Sequence, residues 1–218
     1  VSELPPENNY PPYRELLIGC GSRREKIITP DGSREWKALT TLDNNADHEP
    51  HLLIDLCQLP YELEDNLFDE IHAYEVLEHT GAQGDAAFFF AQFSEFWRIL
   101  KPGGLFCATC PSYRSMWAWG DPSHTRILTS GTLAFLSQEE YIKQIGRTAM
   151  SDFRYMYKAD FKIEFAQEND ETLAFVLRAV KSHDRCVKCG GTLARGVQYP
   201  TTVFCPKCDG YPPGEEKL

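Results

Sequence analysis

Three groups of residues in this chain have types and spacings that can do chemistry. The first is a pair of Cys-x-x-Cys units, Cys186/Cys189 and Cys205/Cys208, with fifteen residues between them. Four thiolates so arranged close a tetrahedral shell around zinc, and Gly190-Gly191 and Asp209-Gly210 supply the turns behind each pair. The segment has too little apolar content to fold without the ion, so the metal is expected to be structural. The second group begins with Glu15-Leu16-Leu17-Ile18-Gly19-Cys20-Gly21-Ser22. A short apolar run ending in Gly-Cys-Gly reads as a buried strand that turns sharply and brings bare backbone to a ligand. Asp43 and Asp55 end the next two apolar runs. Carboxylates at neighbouring strand ends beside such a turn fit a nucleoside, Asp43 taking the ribose hydroxyls and Asp55 the adenine amino group. A dinucleotide fits poorly, because the third glycine of Gly-x-Gly-x-x-Gly is Arg24 and no well-formed helix follows to receive a pyrophosphate. The third group is His79 and His124, candidate general bases. Each has a structural alternative: His79 as the anchor of a strand end, His124 as part of a loop held by its own hydrogen bonds.

Alternating apolar segments must position these residues. Strands are expected over 16–19, 39–42, 52–54, 67–74 and 105–109, and an antiparallel pair over 161–165 and 172–177 around Glu168-Asn169-Asp170-Glu171. Between the first two strands a doubly wound fold needs a crossover, usually a helix. The Pro30-Asp31-Gly32-Ser33 turn signal implies instead a truncated helix or a small hairpin. Asp85 caps a helix whose core stripe is Phe89, Phe93, Phe96, Trp97 and Leu100, stopped by Lys101-Pro102-Gly103-Gly104. Residues 111–131 read as a long irregular loop of the kind that forms a lid or binding segment. Residues 132–145 read as one helix.

The 218 residues, 42% hydrophobic, suffice for one α/β domain and a small appendage. A net charge of −10 argues against a protein that coats nucleic acid by bulk electrostatics. No apolar run approaches the roughly 20 residues of a membrane helix, and no signal-peptide pattern opens the chain. Besides the two pairs, Cys20, Cys57, Cys107 and Cys110 lie in or beside apolar runs and read as buried small residues. A reducing, cytoplasmic setting follows as the expectation.

The ordered set Leu17-Ile18-Gly19-Cys20-Gly21, Leu42-Asp43, Asp55-Leu56-Cys57-Gln58-Leu59-Pro60, Phe68-Asp69-Glu70-Ile71, Val76-Leu77-Glu78-His79 and Leu100-Lys101-Pro102-Gly103-Gly104 resembles the class I S-adenosylmethionine-dependent methyltransferases, most nearly the type 11 group with a shortened first helix. Asp121-Pro122-Ser123-His124-Thr125-Arg126 is similar to a segment of uncharacterised bacterial and phage methyltransferases. The resemblance implies a doubly wound, mostly parallel seven-stranded sheet with its last strand antiparallel. Within it Gly19, Cys20 and Gly21 face the methionine part of the cofactor, Asp43 and Asn44 the ribose, and Asp55 with Leu56 the adenine. Tyr74, Glu75 and Val76 stand at the rim of methyl transfer, where Glu75, His79 and His124 are the catalytic candidates. Leu17-Ile18 occupies the stretch where the family commonly carries an acid. The expected organisation is an N-terminal arm (1–13), the methyltransferase-like domain (14–182), a zinc ribbon (183–211) and a tail (212–218). The expected function is methyl transfer from S-adenosylmethionine to an acceptor left open among small molecules, glycans, nucleic acids and proteins. The alternative is a non-catalytic protein of the same fold that holds a protein partner through its ribbon. No membrane association is expected. Asp43→Ala is expected to weaken cofactor binding while leaving thermal stability nearly unchanged; a large loss of stability would mark Asp43 as structural.

Overall fold

The computed structural model describes residues 13–181 and the backbone of 194–195 and 203–204. The apolar runs become β1 (Glu15–Ile18), β2 (Leu39–Asp43), β3 (Leu52–Leu53), β4 (Phe68–Tyr74), β5 (Leu100–Pro111), β6 (Phe161–Glu168) and β7 (Thr172–Ala179). They form one sheet in the order β3-β2-β1-β4-β5-β7-β6. The first five strands are parallel, and β7 runs antiparallel to both its neighbours. The mixed sheet expected from the resemblance is therefore present, with the glycine turn leaving β1 at its centre. The expected arm (1–13) apart from Tyr13, the four paired cysteines and the tail lie outside the described residues. So does the ribbon, apart from the antiparallel pairing of Ala194–Arg195 with Val203–Phe204. Among the described residues no helix is long and apolar enough to cross a membrane.

Strand alternation gives the two faces of the sheet different chemistry. Leu16, Ile18, Ile71, Ala73, Phe106 and Ala108 point to one side and join the main apolar core. Helix α1 (Ala86–Ile99) covers that side. The Asp85 carboxylate accepts from the Phe88 amide at its N-terminus, and Phe90, Phe93, Phe96 and Ile99 are buried. Phe96 stacks on Phe106 with centroids 4.8 Å apart. The expected aromatic stripe is thus the core contact, though Phe89 and Trp97 are only partly buried.

On the other side the strands present Glu15, Glu70 and His72, all buried. The connection 22–38 packs over them with neither helix nor strand, so the expected truncated helix or hairpin is corrected. Lys26 explains why. Its ammonium sits 2.7 Å from Glu15 Oε1 and 3.0 Å from Glu70 Oε2, with all three side chains at most 2% exposed. His72 Nε2 lies 2.8 Å from the same Glu70 oxygen, and the Tyr13 hydroxyl donates to Glu70 Oε1 at 2.6 Å. A helix would satisfy its own amides; here the strands do it. Glu15 Oε2 accepts from the amides of Lys37 and Ala38, and the Tyr74 hydroxyl from those of Ile27 and Ile28.

Two further expectations change. The long loop contains a short helix, α2 (Met116–Gly120), whose Met116, Trp117 and Trp119 are exposed and so gave no apolar stripe. The single helix over 132–145 is divided into α3 (Ser130–Leu133), a 3₁₀ turn (Ala134–Leu136) and α4 (Gln138–Gln144). Ser137 makes the break by taking extended backbone and accepting from the Glu140 amide as N-cap of α4.

The buried charge cluster sets a stability prediction. Lys26→Met leaves two buried carboxylates without their counter-charge and is expected to cost about 3–5 kcal/mol in urea unfolding. A loss below about 1 kcal/mol would show that the cluster does not hold the connection. Burial raises the Glu70 pKa, but hydrogen bonds from His72, Tyr13 and Lys26 outweigh it and hold the carboxyl at about 2 instead of its ordinary 4.5. A lowered folded-state pKa means that this contribution is complete above pH 4.5 and disappears as pH falls towards 2. The stability gap between wild type and Glu70→Gln should narrow over that window, as read from acid-dependent unfolding curves.

Candidate active site

The glycine turn is shaped by what lies against it. Gly19 has φ +57°, and a Cβ there would meet Val76 Cγ2 at 2.3 Å. Both its left-handed backbone and the close approach of Val76 therefore require glycine. Gly21, also left-handed at φ +51°, donates its amide to Asp43 Oδ2 at 2.9 Å. Cys20 turns a buried side chain inward, and its amide bonds to Leu42 O. Burial and then the nearby Asp43 charge push its thiol pKa up.

Asp43 ends β2 nearly buried. Oδ1 accepts from the Asn45 amide at 2.9 Å, and His48 Nδ1 stands 3.4 Å from Oδ2. Burial works against its charge, yet the Asn45 and Gly21 amides and the His48 imidazole prevail and hold the carboxyl below the usual range. Each carboxylate oxygen has two lone pairs, so capacity for ligand hydroxyls remains. Asp43 thus also ties the glycine turn to the loop after β2 through two backbone amides. Asp55 accepts from the Cys57 amide at 2.8 Å and from Gln58 Nε2 at 3.2 Å. Arg24, the residue in place of a third glycine, donates to His48 O and Glu49 O and ties the turn to the loop after β2.

Two adjoining cavities, about 270 and 380 Å³, open around this turn. Gly19, Gly21 and Glu75 line both. The first adds Asp43, Asn44, Asp55, Leu56, Val76 and His79, and the second Leu17, Cys20 and Tyr74. The sequence-derived cofactor residues are therefore brought together. Tyr74 contributes its ring, since its hydroxyl is spent on the 22–38 connection and on His72 Nδ1 at 2.6 Å. Glu75 has φ +51°, left-handed for a residue with a side chain. Such strain concentrates at functional sites. His48 and Arg24 were missed, because only the tertiary fold brings the 44–50 loop against the turn.

His79 and His124 also come together. Their rings meet edge to face with centroids 4.7 Å apart, where the loop after α2 docks on the 3₁₀ turn Leu77–His79. The Thr125 amide donates to Glu78 O at 2.8 Å and Arg126 Nε to Leu77 O at 2.8 Å. Close to both histidines lies a residue the sequence reading did not assign to the site, Glu78, which is 3% exposed. Desolvation, with the Glu75 charge adding to it, pushes its pKa up to about 8. An acid directly beside His79 was the available signal, but burial was not readable from it.

The turn carries a steric prediction. Gly19→Ala drives a methyl group into Val76 and is expected to destabilise the fold by about 1–3 kcal/mol in chemical unfolding. Val76→Ala in the same chain should recover part of that loss; no recovery would place the strain elsewhere.

Comparison with known proteins adds the following. Residues 16–108 match a family model described as a methyltransferase domain. No curated protein matches the chain. Among solved structures it is similar to an S-adenosylmethionine-dependent methyltransferase from Archaeoglobus fulgidus, with 17% identity, 76% of this chain and 86% of that one covered, and a TM-score of 0.49. It is also similar to the N-methyltransferase NodS from Bradyrhizobium japonicum WM9 in complex with S-adenosyl-L-homocysteine, with 17% identity, 78% and 79% covered, and a TM-score of 0.47. A third is an S-adenosylmethionine-dependent methyltransferase from Mesorhizobium loti, with 16% identity, 76% and 90% covered, and a TM-score of 0.46. The family match spans the glycine turn, Asp43, Asp55 and β4, the elements that build the site.

Proposed function

We propose that the chain binds S-adenosylmethionine at the glycine turn and transfers its methyl group to an acceptor approaching from the 111–131 side. The observation that carries this is the Asp43 carboxylate, its pKa lowered beside Gly21, in the lining of a cavity it shares with Asp55, Leu56 and Val76. In this assignment Asp43 takes the ribose hydroxyls, Asp55 and Leu56 the adenine, and Gly19 to Gly21 the methionine part. The two joined cavities have the size of a small-molecule site. When bound, the cofactor supplies a methyl group already activated by a sulfonium. The protein's share is alignment and exclusion of water. Glu75, with its strained backbone at the rim, is the proposed acceptor of the proton, a role that His79 and His124 can share only where no metal ion takes their lone pairs. Leu17 lines the second cavity where an acid is common in the family, so the methionine amine must find its partner elsewhere, and Glu25 and Glu75 are the carboxylates that line that cavity.

Titration calorimetry with S-adenosylhomocysteine tests the reading. Wild type should bind. Asp43→Ala should bind about 10- to 100-fold more weakly, the loss of roughly 1.5–3 kcal/mol from hydrogen bonds to a charged group. No binding of either S-adenosylmethionine or its demethylated product at millimolar ligand would leave the non-catalytic alternative in its place.

At the far end of the chain Cys186, Cys189, Cys205 and Cys208 hold a structural zinc, a site suited to docking a protein partner. The pairing of 194–195 with 203–204 supports this, since it falls between the two cysteine pairs as a two-knuckle site needs. Elemental analysis should find one zinc fewer per chain in Cys186→Ser/Cys189→Ser than in wild type. Equal zinc in the two would refute the site.

A further inference from the structure

The junction of the 77–79 turn with the 121–126 loop contains more than two histidines. Glu78, His79 and His124 each bring a potential ligand atom to within 4.8 Å of the others. Two atoms of this cluster, Glu78 Oε2 and His124 Nδ1, are buried without any hydrogen-bond partner. Glu78 is 3% exposed and the His124 side chain 8%. Native proteins rarely leave such atoms orphaned, and two in one cluster point to a common missing partner. The neighbouring guanidinium does not fill the role. Arg126 gives Nε to Leu77 O and Nη2 to Thr80 Oγ1 and Gln92 Oε1.

The surroundings prepare the imidazoles to act as ligands. His79 Nδ1 lies 3.3 Å from the Ser123 carbonyl oxygen, which can only accept, so the proton belongs on Nδ1 and the lone pair on Nε2 is left free. Ser123 is itself fixed by Asp121, whose Oδ1 accepts from the Ser123 amide at 2.8 Å. Asp121 Oδ2 also stands 3.9 Å from His124 Nε2, so the same carboxylate lies near the second ring. Metal-ligating histidines are oriented by supporting hydrogen bonds and carboxylates of this kind.

We infer that Glu78, His79 and His124 bind a divalent first-row transition-metal ion. Two imidazoles and one carboxylate favour Zn²⁺, Fe²⁺, Mn²⁺ or their neighbours over Mg²⁺ and Ca²⁺, which prefer all-oxygen sets. Three protein ligands leave coordination positions open for a further molecule. The site does not depend on the methyltransferase reading. Where that reading holds, the ion lies at the rim of the cofactor cavity, because His79 lines it.

The test is titration of the full chain with Mn²⁺, following loss of the free-ion electron paramagnetic resonance signal. Mn²⁺ avoids thiolates, so it reports this cluster and not the paired cysteines. Wild type should take up one ion per chain. Glu78→Gln, which keeps the shape of the side chain, and His124→Asn should each raise Kd at least about 10-fold while circular dichroism shows an intact fold. Wild type that fails to bind at millimolar Mn²⁺, or folded variants that bind as tightly as wild type, would overturn the site. S-adenosylhomocysteine binding by the same samples separates the two claims. Cofactor binding without Mn²⁺ uptake removes the metal site alone, and Mn²⁺ uptake without cofactor binding sustains it while removing the methyltransferase reading.

Discussion

The architecture depends on one buried ammonium. In a doubly wound fold the chain between two parallel strands ordinarily returns through a helix, which satisfies its own backbone and covers the sheet. Here the return from β1 to β2 is irregular, and Lys26 lets it be so. Its ammonium lies between Glu15 on β1 and Glu70 on β4, neighbouring strands whose residues 15 and 70 are in register. Three buried ionisable side chains are costly to desolvate, and such clusters are weak sources of net stability. What this one provides is position. The second Glu15 oxygen gathers the Lys37 and Ala38 amides, Tyr74 gathers those of Ile27 and Ile28, and the Trp36 indole donates to Arg24 O while its edge meets His72. The strands satisfy the connection's donors in place of a helix.

This substitution reaches the ligand site directly. Without a helix after the glycine turn there is no array of aligned amides and no positive dipole end to attract a phosphate. The turn is held instead by Asp43 from one side and by Arg24 reaching His48 O and Glu49 O on the other. The result is a turn with a nearly buried carboxylate lining the cavity beside it. Asp43 both builds the turn and faces the cavity, so effects of its substitution on binding and on stability cannot be independent.

Local chemistry made much of this legible in the sequence. Gly19 and Gly21 marked the turn, Asp43 and Asp55 the strand ends, and Asp85 with its aromatic stripe the one long helix of the described residues. What escaped reading was tertiary. Lys26 carries no local signal of its role because its partners lie on two other elements. Ser137 broke an apparently continuous helical pattern through a capping bond that the periodicity does not reveal. Helix α2 shows its aromatics to solvent, so it carries no core-facing repeat. His79 and His124 were each visible as candidates, but their contact, and the burial of Glu78 close to them, arises only when the 121–126 loop closes on the end of β4.

Glu70 and Glu78 show how the same side chain meets opposite fates under similar burial. Desolvation is the largest influence on both and favours the neutral acid. Around Glu70 it loses to three partners aimed at the carboxylate, and the group stays ionised as part of a structural staple. Around Glu78 it wins, because Glu75 adds like charge and Arg126 gives its hydrogen bonds to Leu77, Thr80 and Gln92 instead. A fold that fully compensates a buried acid at its centre has the means to do the same at its rim. That it leaves Glu78 Oε2 without a hydrogen-bond partner, beside two histidines of which His79 lines the first cavity, marks an atom with capacity for a ligand.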